Sequence, residues 1–411
     1  MKYTIESLME AVCCPEWPER WREIFDEAMA EYDRCGCRLA NPELYRQLHE
    51  KYGAFHKNLD TFMEAAAETA KDEPLARFLT LLDVAVQDRE NIYEDKKHFT
   101  APSVPEGKSA LAYNMVTGLV FAGTMDETYR KLMARGIPEE RVLYSIRSYC
   151  GTVDAYRARH NGEPGFHLFN WHQLNVDGRL AIFGSLQMEI SSSCHGNCRV
   201  YTNEAGEHIS LTDGIAIHRS GYPLGAAGCK DEEGSWEAAI TETEDAYIGH
   251  PVLPDGRTDE KQVTLPKAQW KLFLKKGDPI IRLHIPAKVK FDAASISQSL
   301  ADMCEYLDKY FPEITTRTFC CSSWMMDPQL ETLLGSQSNI VKFQQRFRTM
   351  PSISRGAGVF YFVFSQPIST IPENFDNLAK DSSLQRKLIE HYKSGKFIHE
   401  LEAYFVYDPA K

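Results

Sequence analysis

The chain has 411 residues, 43% of them hydrophobic and 25% charged, with a formal net charge of −12. That length suits about two to three domains, and the acidic balance argues against a nucleic-acid partner, which calls for a basic surface. No run reaches the roughly 18 apolar residues that span a membrane, and the opening MKYTIESLMEAVCCPEW carries acids where a leader would be apolar, so a cytoplasmic protein is expected.

The first 160 residues read as helices. Residues 16–34 place Trp17, Trp21, Ile24, Phe25, Ala28 and Met29 at helical spacing. Asn41-Pro42 opens the next helix with a cap and a first-turn proline. Residues 55–71 and 74–93 continue the pattern, with Leu75, Phe78, Leu79, Leu82 and Val86 on one face. Residues 109–135 and 138–160 complete the set, separated by Gly136 as a C-cap. An all-helical domain over residues 1–160 is the expectation, followed by a second domain over 161–411.

The texture changes at Asn161. Residues 166–176 and 179–191 are rich in aromatic and β-branched side chains, and Asp177-Gly178 between them is a two-residue hairpin signal. Residues 192–278 read as an irregular, Gly- and Pro-rich stretch with one short strand at 208–217. Segments this long without regular structure are often functional or mobile loops. Regularity then returns. Strands are predicted at 280–285, 317–322, 359–364 and 401–407, and helices at 293–310, 327–334, 339–347 and 383–393. The second domain is therefore α/β with a mixed sheet.

Eleven cysteines occur, expected as free thiols in a cytoplasmic chain. Cys13-Cys14, Cys35-x-Cys37 and Cys194-His195-x-x-Cys198 lack the paired spacing of structural zinc sites. They read as buried or turn cysteines, with thiol or metal chemistry at Cys194–Cys198 as the less favoured reading; no metal is expected. No Walker A sequence, G-x-G-x-x-G, H-E-x-x-H or G-x-S-x-G is present.

Chemistry is best sought between residues 280 and 347. Strand 280–285 alternates, putting Arg282 and His284 on one face and Ile281, Leu283 and Ile285 on the other. A cleft-facing histidine can act as a general base. The following loop carries Pro286, Ala287, Lys288 and Lys290 and feeds a helix N-terminus, a place that favours phosphate; Asp292 is its N-cap. On pattern alone the simpler reading of that loop is a plain connection with two solvated lysines. Cys321 and Ser323 close the next strand, and buried cysteines are the simpler account there.

These residues, HIP at His284–Pro286, Ser299-Leu300, FPE at Phe311–Glu313, CSSW at Cys321–Trp324, Asp327-Pro328-x-Leu330 and SNIVKFQQRF at Ser338–Phe347, resemble a bacterial acyltransferase family. Its members join a helical N-terminal domain to a GNAT-like C-terminal domain, and the stretch Leu180–Ile190 is similar to the strand pair that opens the second half. The resemblance implies transfer of an acyl group from acyl-CoA, acetyl or longer, to an amine acceptor by direct attack. The partners are then small molecules, with neither nucleic acid nor membrane, and a homodimer stays open. The cofactor-binding set it implies is Ile285, Pro286, Ala287, Lys288, Lys290, Trp324 and Asn339; the catalytic set is His284 as base with Cys321 and Ser323 protonating the leaving thiolate. The resemblance also turns the loop reading toward a pyrophosphate site. GNAT pyrophosphate loops read Q/R-x-x-G-x-G/A, because glycine lets the backbone approach phosphate, whereas residues 287–292 here are AKVKFD. A non-catalytic GNAT-fold ligand-binding module that has lost this loop is the alternative.

Overall fold

The computed structural model describes residues 2–87, 99–148, 151–166, 169–176, 178–286 and 289–408. The chain forms two compact units, Met1–Ala181 and Ile182–Lys411. It is an α+β protein, a helical N-terminal region followed by a mixed-sheet domain. Among the described residues, no helix is long and apolar enough to cross a membrane.

The first unit is built from α1 (Ile5–Ala11), α2 (Trp21–Cys35), α3 (Pro42–Tyr52), α4 (Leu59–Ala70), α5 (Glu73–Gln87), α6 (Ala110–Ala122), α7 (Met125–Ala134), α8 (Glu139–Ser148), α9 (Thr152–Arg159) and α10 (Phe169–Val176). The start of α3 matches its sequence signature: the Asn41 side chain accepts from the Glu43 amide, with Pro42 in the first turn. Helix α6 is buried over most of its surface, including Tyr113, Val116, Leu119, Val120 and Phe121, as befits a helix apolar all round. The long helix expected over 109–135 is interrupted at Gly123, where an added Cβ would lie 2.4 Å from Leu39 Cδ2.

A second departure concerns the expected hairpin across Gly178. Phe169–Val176 is helical, and Gly178, at φ +68°, terminates it. The Arg179 amide bonds Leu174 O at 2.9 Å and the Gly178 amide bonds Asn175 O at 3.0 Å, the bond pair of a Schellman motif. A left-handed glycine serves a helix end as readily as a hairpin turn. The true hairpin lies one step on, where β1 (Leu180–Phe183) and β2 (Leu186–Ser193) flank Gly184-Ser185.

The stretch 192–278, expected to be irregular with one short strand, carries a series of short strands between its loops: β3 (Cys198–Thr202), β4 (His208–Thr212), β5 (Ile215–Ile217), β6 (Trp236–Ala238), β7 (Thr241–Glu242), β8 (Ala246–Pro251), β9 (Val263–Pro266) and β10 (Lys271–Lys275). One sheet runs β10-β3-β4-β8-β7 with β9 on β8, and β5 pairs with β6. Short strands between glycine turns give little periodic signal.

The remaining elements are β11 (Pro279–His284), α11 (Ala293–Tyr310), β12 (Thr318–Ser323), α12 (Gln329–Leu334), α13 (Asn339–Gln344), β13 (Arg348–Met350), α14 (Ala357–Phe364), α15 (Ser383–Lys393) and β14 (Leu401–Val406). The central sheet has the order β1-β2-β11-β12-β14-β13, with β11 and β12 parallel and the pairs around them antiparallel. The strand expected at 359–364 is instead α14. Its Val359, Phe360 and Phe364 enter a core with Leu388, Ile389 and Tyr392 from α15, and that packing overrides the strand propensity of the Val, Phe and Tyr run.

Alternation gives the central sheet two different faces. On one, an aromatic ladder passes from Phe319 to Phe405, Phe347, Phe343 and Phe291 at centroid spacings of 5.4, 4.9, 4.9 and 5.1 Å. On the other, Ile280, Cys320 and Tyr404 pack against Cys194, Cys198, Val200 and Leu274 at the edge of the second sheet.

Candidate active site

The paired register of β11 and β12 covers Ile281↔Phe319 and Arg282↔Cys320, although both strands continue. Beyond those rungs each keeps its outer neighbour: β11 stays on β2 as far as His284↔Gln187, and β12 stays on β14 as far as Ser323↔Leu401. Two strands held from outside and released from each other leave a wedge-shaped opening at their C-terminal ends. Loop and helix termini gather at that edge, where open α/β sheets bind ligands.

The polar face of this wedge carries charge. Arg282 and His284 on β11 face Glu189 on β2, since Arg282 is in register with Glu189. His284 Nε2 lies 2.8 Å from Glu189 Oε2, with the side chains 24% and 13% exposed. Burial pushes the Glu189 carboxyl up, but the His284 hydrogen bond, the nearby charges of His284 and Arg282, and the Ser192 hydroxyl together hold it below its ordinary value. This dyad can accept a proton on the ring and stabilise the resulting imidazolium by the adjacent carboxylate.

One step toward the apex, Arg282 Nη1 donates to both Glu402 oxygens at 3.1 and 3.0 Å, Nη2 donates to Ser193 O at 2.7 Å and Nε to Ser192 Oγ at 3.1 Å. Glu402 is fully buried, and the His195 amide approaches it at 3.5 Å. Burial pulls the guanidinium down and Glu402 more than restores it. Beneath the pair, a hydrogen bond from Cys320 lowers the Cys194 thiol, while Cys320 itself is raised. Among the described residues no group of three or more metal-ligating side chains assembles, here or elsewhere.

Not every residue proposed from sequence gathers here. Cys321 and Ser323 fall on the opposite face from His284, because Cys320 is the residue in register with Arg282. Cys321 is 1% exposed, its thiol pushed up to about 12 by burial. Ser323 Oγ accepts the Met325 amide at 3.1 Å, capping the turn that leaves β12. The residue that alternation does place with His284 is the exposed Ser322.

Ile285 and Pro286 continue from β11, half-buried, at the wedge mouth. Ala287 and Lys288 lie outside the described residues. Lys290 is 80% exposed, its Nζ 3.0 Å from Asp292 Oδ2. Asp292 caps α11 by accepting the Ser295 amide at 2.9 Å, and that bond, then Lys290, brings its carboxyl down to about 2. The loop is tied to the hairpin turn: Ser185 Oγ donates to Lys290 O, and the Ser185 amide bonds Ser299 Oγ at 3.0 Å. Trp324 is buried in the α14–α15 core with Leu330 and Val359. Asn339 is exposed at the start of α13. A groove of about 640 Å³ elsewhere in this unit, lined by residues such as Cys304, Asp308 and Arg317, brings no comparable set of groups together.

Sequence reasoning missed Glu189 and Glu402. Glu189 does carry a signal: in Leu186-Gln187-Met188-Glu189-Ile190, the apolar residues are buried and the acid alternates out, which marks it as facing the polar side of its neighbour.

Residues 180–405 match the family model described as GNAT-like C-terminal domain. No curated protein matches the chain in sequence. Among solved structures, an acyltransferase in complex with CoA and 10C-teicoplanin is 20% identical, with a TM-score of 0.62 over 98% of each chain. An acyltransferase in complex with decanoyl-CoA and teicoplanin is 21% identical, also at 0.62 over 98% of each. An acyltransferase in complex with decanoyl-CoA alone is 17% identical, at 0.58 over 95% of this chain and 99% of the other. At these identities the likeness establishes a shared fold.

Proposed function

We propose that this chain, which belongs to the GNAT-like C-terminal domain family through residues 180–405, transfers an acyl group from acyl-CoA to an amine acceptor. The observation that carries this is the wedge between β11 and β12 with the His284–Glu189 dyad on its wall. Acyl-CoA enters the wedge with its thioester toward Arg282 and His284, and its pantetheine passes Ile285 and Pro286. Its phosphates lie toward Lys290 and the start of α11, with Asn339 near the mouth. The amine approaches from the polar face and attacks the carbonyl carbon. His284 takes the proton that the amine loses, Glu189 holds the ring and balances its charge, and the C–S bond breaks to release CoA. The solved structures in complex with CoA and decanoyl-CoA support acyl-CoA as donor; in this reading the donor is acetyl-CoA or longer and the site of action is the cytoplasm.

One observation favours the second reading, a ligand-binding module without catalysis. The Asp292 carboxylate already occupies the start of α11 by accepting the Ser295 amide, where a pyrophosphate would compete with it. Two measurements separate the readings. Melting curves with acetyl-CoA and decanoyl-CoA should show a rise, about 2.7 kcal/mol of stabilisation at a hundred times Kd. Mass spectrometry of an amine panel incubated with the same donors should show acylated product. Stabilisation without product supports the module; no stabilisation at millimolar donor contradicts both.

A further inference from the structure

We propose that Ser220 is a nucleophilic serine, activated by His218 and Asp231, that takes an acyl group from an ester or thioester and uses none of the groups at the wedge. A tight turn builds the site. β5 ends at Ile217, the Gly221 amide bonds His218 O at 2.8 Å and the His218 amide bonds Tyr222 O at 2.8 Å. Gly221, at φ +89°, supplies the left-handed residue that closes a three-residue hairpin loop of this kind. The turn folds Ser220 back onto the ring of His218: Ser220 Oγ lies 2.8 Å from Nδ1, and the Ser220 amide donates to the same nitrogen at 3.2 Å. Asp231 arrives on the segment that leads into β6, which pairs with β5. Its Oδ2 lies 3.3 Å from His218 Nε2, and its Oδ1 lies 3.3 Å from Arg219 Nη1.

The partners assign the proton on the ring. Nδ1 accepts the Ser220 amide, so it is the unprotonated nitrogen, and Nε2–H donates to the Asp231 carboxylate. Nδ1 is then the base that the Ser220 hydroxyl meets. Nucleophile, base and orienting carboxylate are connected as in a serine triad, with the two ring nitrogens exchanged. Burial separates their roles: the His218 ring is covered, whereas Ser220 stands open to substrate. Cys229 Sγ lies 3.4 Å from Ser220 Oγ. Burial pushes that thiol up, so its S–H persists and donates to the serine oxygen. In the first step Oγ bonds to the acyl carbon and its proton passes to Nδ1. The bond from that carbon to the leaving oxygen or sulfur breaks, and the leaving group takes the electron pair and then the proton. In the second step a water gives its proton to Nδ1 and attacks the seryl ester. The carboxylic acid departs and the Ser220 hydroxyl is restored.

The test uses the full chain and two readouts. Treated with a fluorophosphonate probe, the wild type should carry the phosphonyl group on Ser220, located by peptide mass spectrometry. His218→Gln should slow that labelling roughly a hundredfold. Asp231→Asn, at a half-exposed carboxylate, should slow it in the same direction and serves as the second variant if the buried His218 is needed for folding. A hydrogen-bonded turn with a structural role alone would leave Ser220 as inert as any other surface serine. The second readout is release of p-nitrophenol from p-nitrophenyl acetate and of CoA from acetyl-CoA. Ser220→Ala, with Tm unchanged because the side chain is exposed, should lower the release roughly a hundredfold. Ser220-dependent release of CoA marks the donor as a thioester; Ser220-dependent release of p-nitrophenol alone marks it as an oxygen ester. An unlabelled Ser220 in the wild type, equal labelling in the folded variants, or equal release from both donors by Ser220→Ala overturns the proposal. Amine acylation is scored separately, so its failure leaves this test standing.

Discussion

Along β11, β12 and β14, neighbouring residues live in two different environments. On the ladder face, Ile281, Leu283, Phe319, Cys321, Ala403 and Phe405 are all buried, and every apolar square ångström removed from water stabilises the fold by roughly 25 cal/mol. On the other face the same strands bury Arg282 against Glu402 and set His284 against Glu189. A buried ion pair rarely outperforms well-packed apolar side chains of the same volume, so stability does not explain these charges. Their position at the place where β11 and β12 part does: one face maintains the sheet, and the other keeps charge ready at its opening.

Substitutions on the two faces should therefore behave differently. The largest effect is expected from Arg282→Met, which strands Glu402 as an uncompensated buried charge and should destabilise by about 3–5 kcal/mol, read from denaturant melts. The double change Arg282→Met with Glu402→Met should recover most of that loss; failure to recover would mean the pair is structurally required and would blur the contrast between faces. Glu189→Gln should matter less for folding and more for rate, lowering kcat roughly ten- to hundredfold. Glu189 has its pKa depressed in the folded protein. Its contribution to stability is present above the ordinary carboxyl value of about 4.3 and lost as pH falls through the folded value, so Glu189→Gln should flatten that acid-side loss. The smallest effect is expected from Ser323→Ala on the ladder side, which removes the cap on Met325 and should cost about 1 kcal/mol with kcat unchanged. A kcat loss there would put Ser323 back among the catalytic groups.

Much of this was readable from sequence where local chemistry decides. Helix α11 occupies 293–310 as its periodicity predicts, with Asp292 as its cap, and the alternation of Arg282 and His284 on β11 holds. The misreadings share a cause in nonlocal structure. Gly178 offered a left-handed residue without saying whether a turn or a helix end would use it. The aromatic run in α14 took its conformation from the α15 core. The second sheet depends on pairings such as Cys198↔Thr212 and Lys271↔Thr202 that no short window contains. The site turned on register. Sequence located the end of β12, but which of Cys321, Ser322 and Ser323 shares a face with His284 is set by the rung Arg282↔Cys320. The partner of His284 lies 95 residues away at Glu189.

The central claim is that the polar face of the wedge performs acyl transfer with His284 as the base. The most direct measurement is the single-turnover rate of His284→Ala beside the wild type, with acyl-CoA affinity measured by calorimetry on both. The account predicts a loss of roughly a hundred- to ten-thousandfold in the rate with affinity little changed. A variant that transfers the acyl group as fast as the wild type would contradict it.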